Sequence, residues 1–308
     1  MRIAICVVTY KRPDGLKRLL QGLSALHFED PRPEVRIVVV DNDAETQAAR
    51  EVCNEARASF DWELEYHLES RRGIPFARNK AVACAKDSTD FIAFIDDDEV
   101  PEPNWLGELI RVQREHDADV VTGPVVSHFT SDVPPWIAKG RFFERQRRPT
   151  GTRMDRAFTG NVLFRTALFD GMDPWFDERL AFAGGSDVHF LRRVHRAGYA
   201  IVWADDAVAR EWVPASRVTG GWIVRRAFRI GTSTAFVELD LRPAVVAGAL
   251  VLAIGCYRIL SGTLLLPIGL VLGRHFLVRQ VRYVAYGAGL LAGLTGRRYE
   301  EYRQTHGS

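Results

Sequence analysis

The sequence predicts an α/β protein: a Rossmann-like, mainly parallel sheet flanked by helices, followed by an apolar helical region at the C-terminus. Three observations carry this. Apolar runs of strand length alternate with segments of helical spacing over the first 125 residues. No hairpin turn joins successive strands, so each returns by a crossover, which gives parallel pairing and a sheet covered on both faces. Charged residues then nearly vanish between Pro243 and Gly273, dividing a domain over 1–235 from a C-terminal region over 236–308.

The elements follow in order. Ile3–Thr9 is a continuous β-branched run, and Pro13–Leu26 carries Leu16, Leu19, Leu20 and Leu23 at helical spacing. Val35–Val40 is a second buried run, followed by amphipathic Glu45–Ser59. Trp62–Leu68 alternates as a strand, and Pro75–Ala85 reads as a helix. Phe91–Ile95 is wholly apolar, Pro103–His116 places Trp105, Leu106, Leu109 and Ile110 on one side, and Val120–Val126 closes the series. Residues 127–180 read as loops and short strands. A helix is expected over Asp187–Ala197, with Ser186 capping its start and Gly198 its end. Ligands of such sheets bind beyond the carboxyl ends of the strands, which directs attention to Thr9–Arg12, Asp41–Asp43 and Asp96–Glu99.

A chain of 308 residues can bury a full core. Its net charge of +2 argues against a nucleic-acid binder working by bulk charge. The cysteines Cys6, Cys53, Cys84 and Cys256 form no CxxC pair, which fits a reduced cytosolic setting better than a disulfide framework or zinc site. The apolar run at Met1–Tyr10 is too short for a signal peptide and reads as the first strand.

Pro243–Tyr257 and Ile259–Gly273 are nearly uncharged stretches divided by Arg258. Each alone is shorter than the ~20 residues that span a hydrocarbon core. Arg225, Arg226, Arg229 and Arg242 flank one side, and Arg274, Arg279 and Arg282 the other. A membrane-embedded hairpin or interfacial pair over 243–294, returning to the same face, satisfies that symmetry. A buried helical pair is the alternative.

The most informative segment is Phe91–Glu99, an apolar strand that ends in Asp96, Asp97, Asp98 and Glu99. In extended chain Asp96 and Asp98 point the same way. Like charges that close raise one another's pKa and are costly unless a cation lies between them. A hard divalent ion with oxygen ligands, Mg²⁺ or Mn²⁺, resolves the conflict. The alternative is a solvated loop capping the next helix, for which one acid suffices.

An Asp-x-Asp after a hydrophobic strand, in a chain opening Val7-Val8-Thr9-Tyr10-Lys11-Arg12-Pro13, resembles the family 2 glycosyltransferases of GT-A fold, and Arg210-Glu211-Trp212-Val213-Pro214 followed by Trp222–Gly231 resembles the end of the catalytic domain in those of succinoglycan type. Val38-Val39-Val40-Asp41-Asn42 is similar to the family's second strand, and Gly73-Ile74-Pro75-Phe76-Ala77-Arg78-Asn79 to its Gly-x-x-x-Ala-Arg-Asn segment. Gly184-Gly185-Ser186-Asp187 is similar to its Gly-Glu-Asp acceptor motif, with Ser186 where Glu is usual. The likeness covers roughly 1–232 and keeps the family's motif order.

The resemblance implies that Asp98 holds the metal and that Asp96 contacts the ribose and the ion. Thr9, Tyr10 and Asp41 would form the base pocket, with Arg12 and Arg78 also on the donor side. Asp41 reads otherwise as a strand-end turn residue and Arg78 as a solvated helix arginine. Asp187 stands at the family's base position; it reads equally as a first-turn acid complementing a helix dipole. Some relatives place a metal-binding His near Glu211, which makes Glu211 a further candidate ligand. Arg225 and Arg229 share a helix face and suit either a diphosphate or an anionic lipid surface. His189 and His195 read as structural, and Trp136 and Trp175 as candidate sugar-stacking side chains.

The expected activity is inverting, non-processive transfer of one sugar from a nucleoside-diphosphate sugar, a UDP-sugar by the resemblance. The Gln-x-x-Arg-Trp of processive synthases is absent. The expected acceptor is a saccharide or lipid-linked saccharide at the cytoplasmic face of the inner membrane. A sugar-phosphate nucleotidyltransferase would carry a Gly-rich loop after the first strand, and a dehydrogenase a Gly-x-Gly-x-x-Gly turn; neither is present. A non-catalytic scaffold on the same fold would need neither the acidic strand end nor Asp187.

Overall fold

The computed structural model describes residues 1–28, 31–58 and 60–296. Ser59, at the end of the expected second helix, and 297–308 of the expected C-terminal region lie outside them. The first part alternates β1 (Arg2–Thr9), α1 (Pro13–Ser24), β2 (Glu34–Asp41), α2 (Ala48–Arg57), β3 (Glu63–Leu68), α3 (Ile74–Ala85) and β4 (Phe91–Ile95). After it come β5 (Glu99–Pro101), α4 (Trp105–His116), β6 (Val120–Thr122), β7 (Val125–Phe129), α5 (Pro135–Gly140), β8 (Asn161–Arg165), α6 (Ser186–Arg196), β9 (Ile201–Trp203) and β10 (Ala209–Val213). Three helices close the described chain: α7 (Gly220–Leu241), α8 (Ala244–Leu272) and α9 (Arg274–Leu294).

The main sheet has seven strands in the order β3-β2-β1-β4-β8-β6-β9. β3, β2, β1 and β4 pair in parallel, β8 runs antiparallel between β4 and β6, and β9 pairs in parallel with β6. The period-2 alternation of β1 assigns the two faces. Ile3, Ile5 and Val7 join Leu16, Leu19, Leu20 and Leu23 of α1 in one core, each leucine contributing about 1.5–3 kcal/mol by burial. Ala4 and Cys6 face the other way, where Ala77, Ala81 and Ala85 of α3 pack against them. Small residues on both sides let α3 lie close to the sheet.

The run expected as one strand over Val120–Val126 is two. Gly123-Pro124 breaks it: a Cβ at Gly123 would lie 2.2 Å from the Ala207 carbonyl oxygen, and Pro124 has no N–H for a ladder. β6 stays in the main sheet, while β7 joins a second sheet of order β5-β10-β7. That small sheet roofs the carboxyl end of β4.

Two further expectations are corrected. Ser186 does not cap α6; Gly185, at φ 89°, holds the N-cap position, and Ser186 is the first helical residue. The apolar stretches either side of Arg258 do not form a hairpin but one 29-residue helix, α8. Arginine is a good helix former, and Arg258 turns its guanidinium onto Tyr283 and Tyr286 of α9, at 4.7 and 5.8 Å from the ring centroids. The return pass is α9. The domain boundary expected at 235/236 falls inside α7.

Candidate active site

The apolar strand β4 delivers the acidic segment to the carboxyl end of the sheet. The Glu99 N–H donates to the Asp96 carbonyl at 3.0 Å, so 96–99 is a turn rather than extended chain. The alternation survives the turn: Asp97 and Glu99 are buried, whereas Asp96 and Asp98 are partly open.

Each carboxylate has defined company. Asp97 accepts from Thr9 Oγ1 at 2.8 Å and from Arg12 Nη1 at 2.9 Å. Asp98 Oδ2 accepts from the same Arg12 nitrogen at 3.0 Å and from Arg217 Nη1 at 3.2 Å. Arg217 Nη1 also lies 3.2 Å from Glu211 Oε1, and Glu211 Oε2 accepts from Arg145 Nη2 at 3.0 Å. Strand register brings Glu211 here, because β10 sets it opposite Glu99 of β5. A Cβ at Gly160 would lie 2.6 Å from Glu99 Oε1 and 3.2 Å from Asp96 Oδ2, so a side chain there would push these carboxylates aside.

Charge of one sign accumulates here faster than the arginines cancel it. Burial, then the charge of Asp96, raises Glu99 well above the usual carboxylate range. Burial also raises Asp97, with Arg12 opposing and Asp98 adding. Desolvation pushes Asp96 up to about 6, against the pull of Arg78, and the charges of Asp98, Asp97 and Asp187 add to the rise. A surplus of carboxylates gathered at one turn fits a divalent cation. Asp98 of this turn and Glu211 of β10 share a single positive nitrogen of Arg217, and with Asp96 they are the candidate carboxylates for Mg²⁺ or Mn²⁺.

Arg78 joins this turn to the start of α6. It is buried, its Nη2 3.5 Å from Asp96 Oδ1 and its Nη1 donating to Ser186 Oγ at 3.4 Å. Its guanidinium also lies 5.7 Å from the Phe176 ring centroid. It is therefore no solvated helix arginine. Asp187, next to Ser186, is partly exposed in the first turn of α6. Beneath it, His189 Nε2 lies 2.8 Å from Asp240 Oδ2 of α7, and Arg179 spans Asp177 and Asp240.

Thr9 and Asp41, two of the residues expected in the base pocket, end β1 and β2, and Tyr10 follows Thr9. Thr9 spends its hydroxyl on Asp97. Asp41 is buried, its carboxylate taking the Asp43 N–H at 2.9 Å and the Tyr66 hydroxyl at 3.1 Å. Tyr10 is partly open and stacks with Arg72, whose guanidinium lies 4.9 Å from the ring centroid. Asn42, which the motif reading passed over, fixes this side. Its Nδ2 donates to the Glu69 and Arg71 carbonyls at 2.9 and 2.8 Å, and its Oδ1 accepts from the Gly73 N–H at 2.7 Å.

Arg225 is exposed on α7 and Arg229 partly buried; the guanidinium that joins Arg12 on Asp98 comes from Arg217, in the turn before that helix. Sequence reading gave no role to Arg217, Arg145 or Trp212. A cleft of about 290 Å³ beside Asp98 is lined by Lys11, Arg12, Arg18, Trp212 and Arg217. Trp175 is partly buried against the core, packed on Phe169 and donating to its carbonyl at 2.8 Å. Trp136 is engaged by Phe142 and by the Arg274 guanidinium.

The family model of glycosyl transferase family 2 matches residues 4–171, which include β1, the acidic turn and Gly160. The chain belongs to glycosyl transferase family 2. This glycosyltransferase is 33% identical over 232 residues to the succinoglycan biosynthesis protein ExoM of Rhizobium meliloti, covering 75% of this chain and 73% of that one. It is 22% identical over 230 residues to the glycosyltransferase AglE of Haloferax volcanii, covering 74% and 71%. Among solved structures it is similar to the mannosyltransferase PcManGT of Pyrobaculum calidifontis in complex with GDP-Man and Mn²⁺, with a TM-score of 0.63 at 18% identity, covering 96% of this chain and 88% of that one. Staphylococcus aureus TarS 1–349 in complex with UDP gives 0.54 at 17% identity, covering 97% and 93%. At these identities the likeness shows the fold: the glycosyltransferase has the expected GT-A architecture.

Proposed function

We propose that this glycosyltransferase moves one sugar, with inversion, from a nucleoside-diphosphate sugar to an acceptor hydroxyl. The observation that carries the reading is Arg78, which touches Asp96 on the donor side and Ser186 beside Asp187 on the acceptor side. One buried cation thus ties the two halves of a displacement reaction.

Asp187 takes the proton from the acceptor hydroxyl as that oxygen forms a bond to the anomeric carbon. The bond from the anomeric carbon to the diphosphate oxygen breaks, and its electron pair leaves on the nucleoside diphosphate. Asp98, Asp96 and Glu211 are the residues that would hold Mg²⁺ or Mn²⁺, which supplies charge neutralisation at the departing diphosphate. Arg12 and Arg217, already on Asp98, are placed to reach the same phosphates. Asn42 holds the loop carrying Arg71 and Arg72 beside Tyr10 on the nucleotide side. The Mn²⁺ and GDP-Man of one neighbour and the UDP of another support a metal and a nucleoside-diphosphate donor.

UDP is the proposed nucleotide, by family habit. The relative ExoM, named for succinoglycan biosynthesis, supports a saccharide acceptor in cell-surface polysaccharide synthesis. The apolar α8 supports a lipid-linked one at the cytoplasmic face of the membrane. The stereochemical outcome tests the mechanism. With an α-linked donor, proton NMR of the initial product should show a β linkage. An α product would exclude a single displacement with Asp187 as base.

A further inference from the structure

The last three helices are stacked outward from the catalytic domain. α7 lies flat on that domain along its length. Trp222 and Ile223 pack with Ile137, Val213 and Val218 near its start. Ser233 donates to the Ala183 carbonyl at 3.2 Å, and near its end Glu238 pairs with Arg192 and Asp240 with His189. From Trp222 to Asp240 is about 27 Å of helix. α9 packs on α7 through glycine: a Cβ at Gly231 would lie 2.3 Å from the Tyr286 carbonyl oxygen, and one at Gly289 2.1 Å from that of Phe228. The start of α9 is also held by the catalytic domain, where Arg279 Nη2 donates to the Gly140 carbonyl at 3.3 Å. α8 then runs antiparallel on α9, with Gly255 against Leu291, Gly262 against Val284 and Gly269 against Leu277. All three axes therefore follow the surface of the catalytic domain.

α8 is long and apolar enough to cross a membrane, yet only 17% of its most apolar window is buried. The buried stripe is narrow, formed by Ala247, Val251, Gly255, Gly262 and Gly269. Most of the exposed large apolar side chains among the described residues are on α8; Val245 is 84% accessible, Leu264 78% and Val271 87%. Residues 242–296 contain no Asp or Glu, but they contain Arg242, Arg258, Arg274, Arg279 and Arg282. A crossing orientation would carry α9 and α7 across with α8, and the polar catalytic domain alongside them.

We propose that α8 lies lengthwise in the membrane, parallel to its plane, with α9 between it and the catalytic domain and the exposed Arg274 and Arg282 at anionic headgroups. This rests on the membrane reading above and decides between lying in and crossing the bilayer. A second copy of this chain is a poorer occupant. It would bring a second set of arginines and no carboxylate from residues 242–296, whereas anionic lipid offers the opposite charge.

The test uses the full chain with Cys84→Ser and Cys256→Ser, carrying one new cysteine at Val246, Leu260 or Val271, which share one face of α8, for an environment-sensitive fluorophore. Phosphatidylcholine vesicles with and without phosphatidylglycerol are titrated, and depth is read by shallow and deep spin-labelled lipids. The expected result is one common depth at all three positions, with affinity falling about tenfold or more when phosphatidylglycerol is omitted. A profile deep at Leu260 and shallow at both ends would overturn the in-plane placement and keep the membrane reading. No binding to either vesicle, with a dimer in solution, would overturn both.

Discussion

Arg217 Nη1 lies 3.2 Å from Asp98 Oδ2 across 119 residues of sequence. The same nitrogen is 3.2 Å from Glu211 Oε1, so one guanidinium keeps two carboxylates together. Arg217→Ala should therefore cost the metal-free protein about 1–3 kcal/mol, because Asp98 and Glu211 lose a shared partner in a mostly buried setting. Mn²⁺ should raise the Tm of the variant more than that of the wild type, since the cation replaces the missing charge. Thermal unfolding with and without Mn²⁺ checks this. Equal metal shifts in the two proteins would separate Arg217 from the metal ligands.

Asp187→Asn keeps the size of the side chain and removes its basicity. Transfer should slow by about 10²–10⁴-fold, while nucleotide affinity stays near wild type, because the proposed donor and metal contacts are at Asp96, Asp98 and Glu211 rather than at Asp187. Initial rates and nucleotide titrations on one preparation separate the two. A variant that loses both together would place Asp187 in donor binding.

The His189–Asp240 contact gives the domain a pH-dependent joint. Burial lowers the His189 pKa, against the raising pull of Asp240. Burial raises Asp240, but its bonds from His189 and Arg179 hold it below the usual value. The neutral form prevails, because Nδ1 is buried with no partner and an imidazolium would strand a second N–H there; Arg179 then supplies the charge that holds Asp240 down. A histidine with lowered folded pKa contributes stability that is complete above the unfolded value near 6.5 and is lost as pH falls through that window. Urea midpoints from pH 8 to 5 should fall below about pH 6.5, with a shallower slope in His189→Gln. Parallel slopes would remove His189 from the account.

Much of the fold is legible because its signals are local. β1 to β4 and α1 to α4 follow from apolar period and length, and the acidic turn announces itself after Phe91–Ile95. The second sheet is hidden because β5 has three residues and its meaning is a register, Glu99 opposite Glu211, between segments far apart in the chain. Arg217 and Arg145 gain their roles only through that register. Asp41 shows the converse. A motif position can be recognised in sequence, but its burial under Tyr66 depends on how β3 pairs with β2. In α8 apolar composition was plain, but its unbroken passage through Arg258 rests on the tyrosines of α9.

The glycine contacts between α7 and α9 predict opposite outcomes for the same change. Gly289→Ala forces a methyl into the Phe228 carbonyl and should destabilise by about 1–3 kcal/mol. Gly248→Ala in α8 meets nothing within 4 Å and should stabilise by about 0.5–1 kcal/mol through helix propensity. Chemical denaturation of the two variants in one detergent gives the comparison. Equal effects would contradict the close packing of α9 on α7.

The most direct test of the central claim is calorimetric titration of UDP, GDP and CDP, with and without Mn²⁺, into the wild type and Asp98→Ala. Binding of one nucleotide that requires Mn²⁺ and disappears in Asp98→Ala is the predicted result, and it would place the donor at the acidic turn after β4. Nucleotide binding unchanged by Mn²⁺ or by the substitution would contradict that placement, and binding of none of the three would contradict the nucleoside-diphosphate donor.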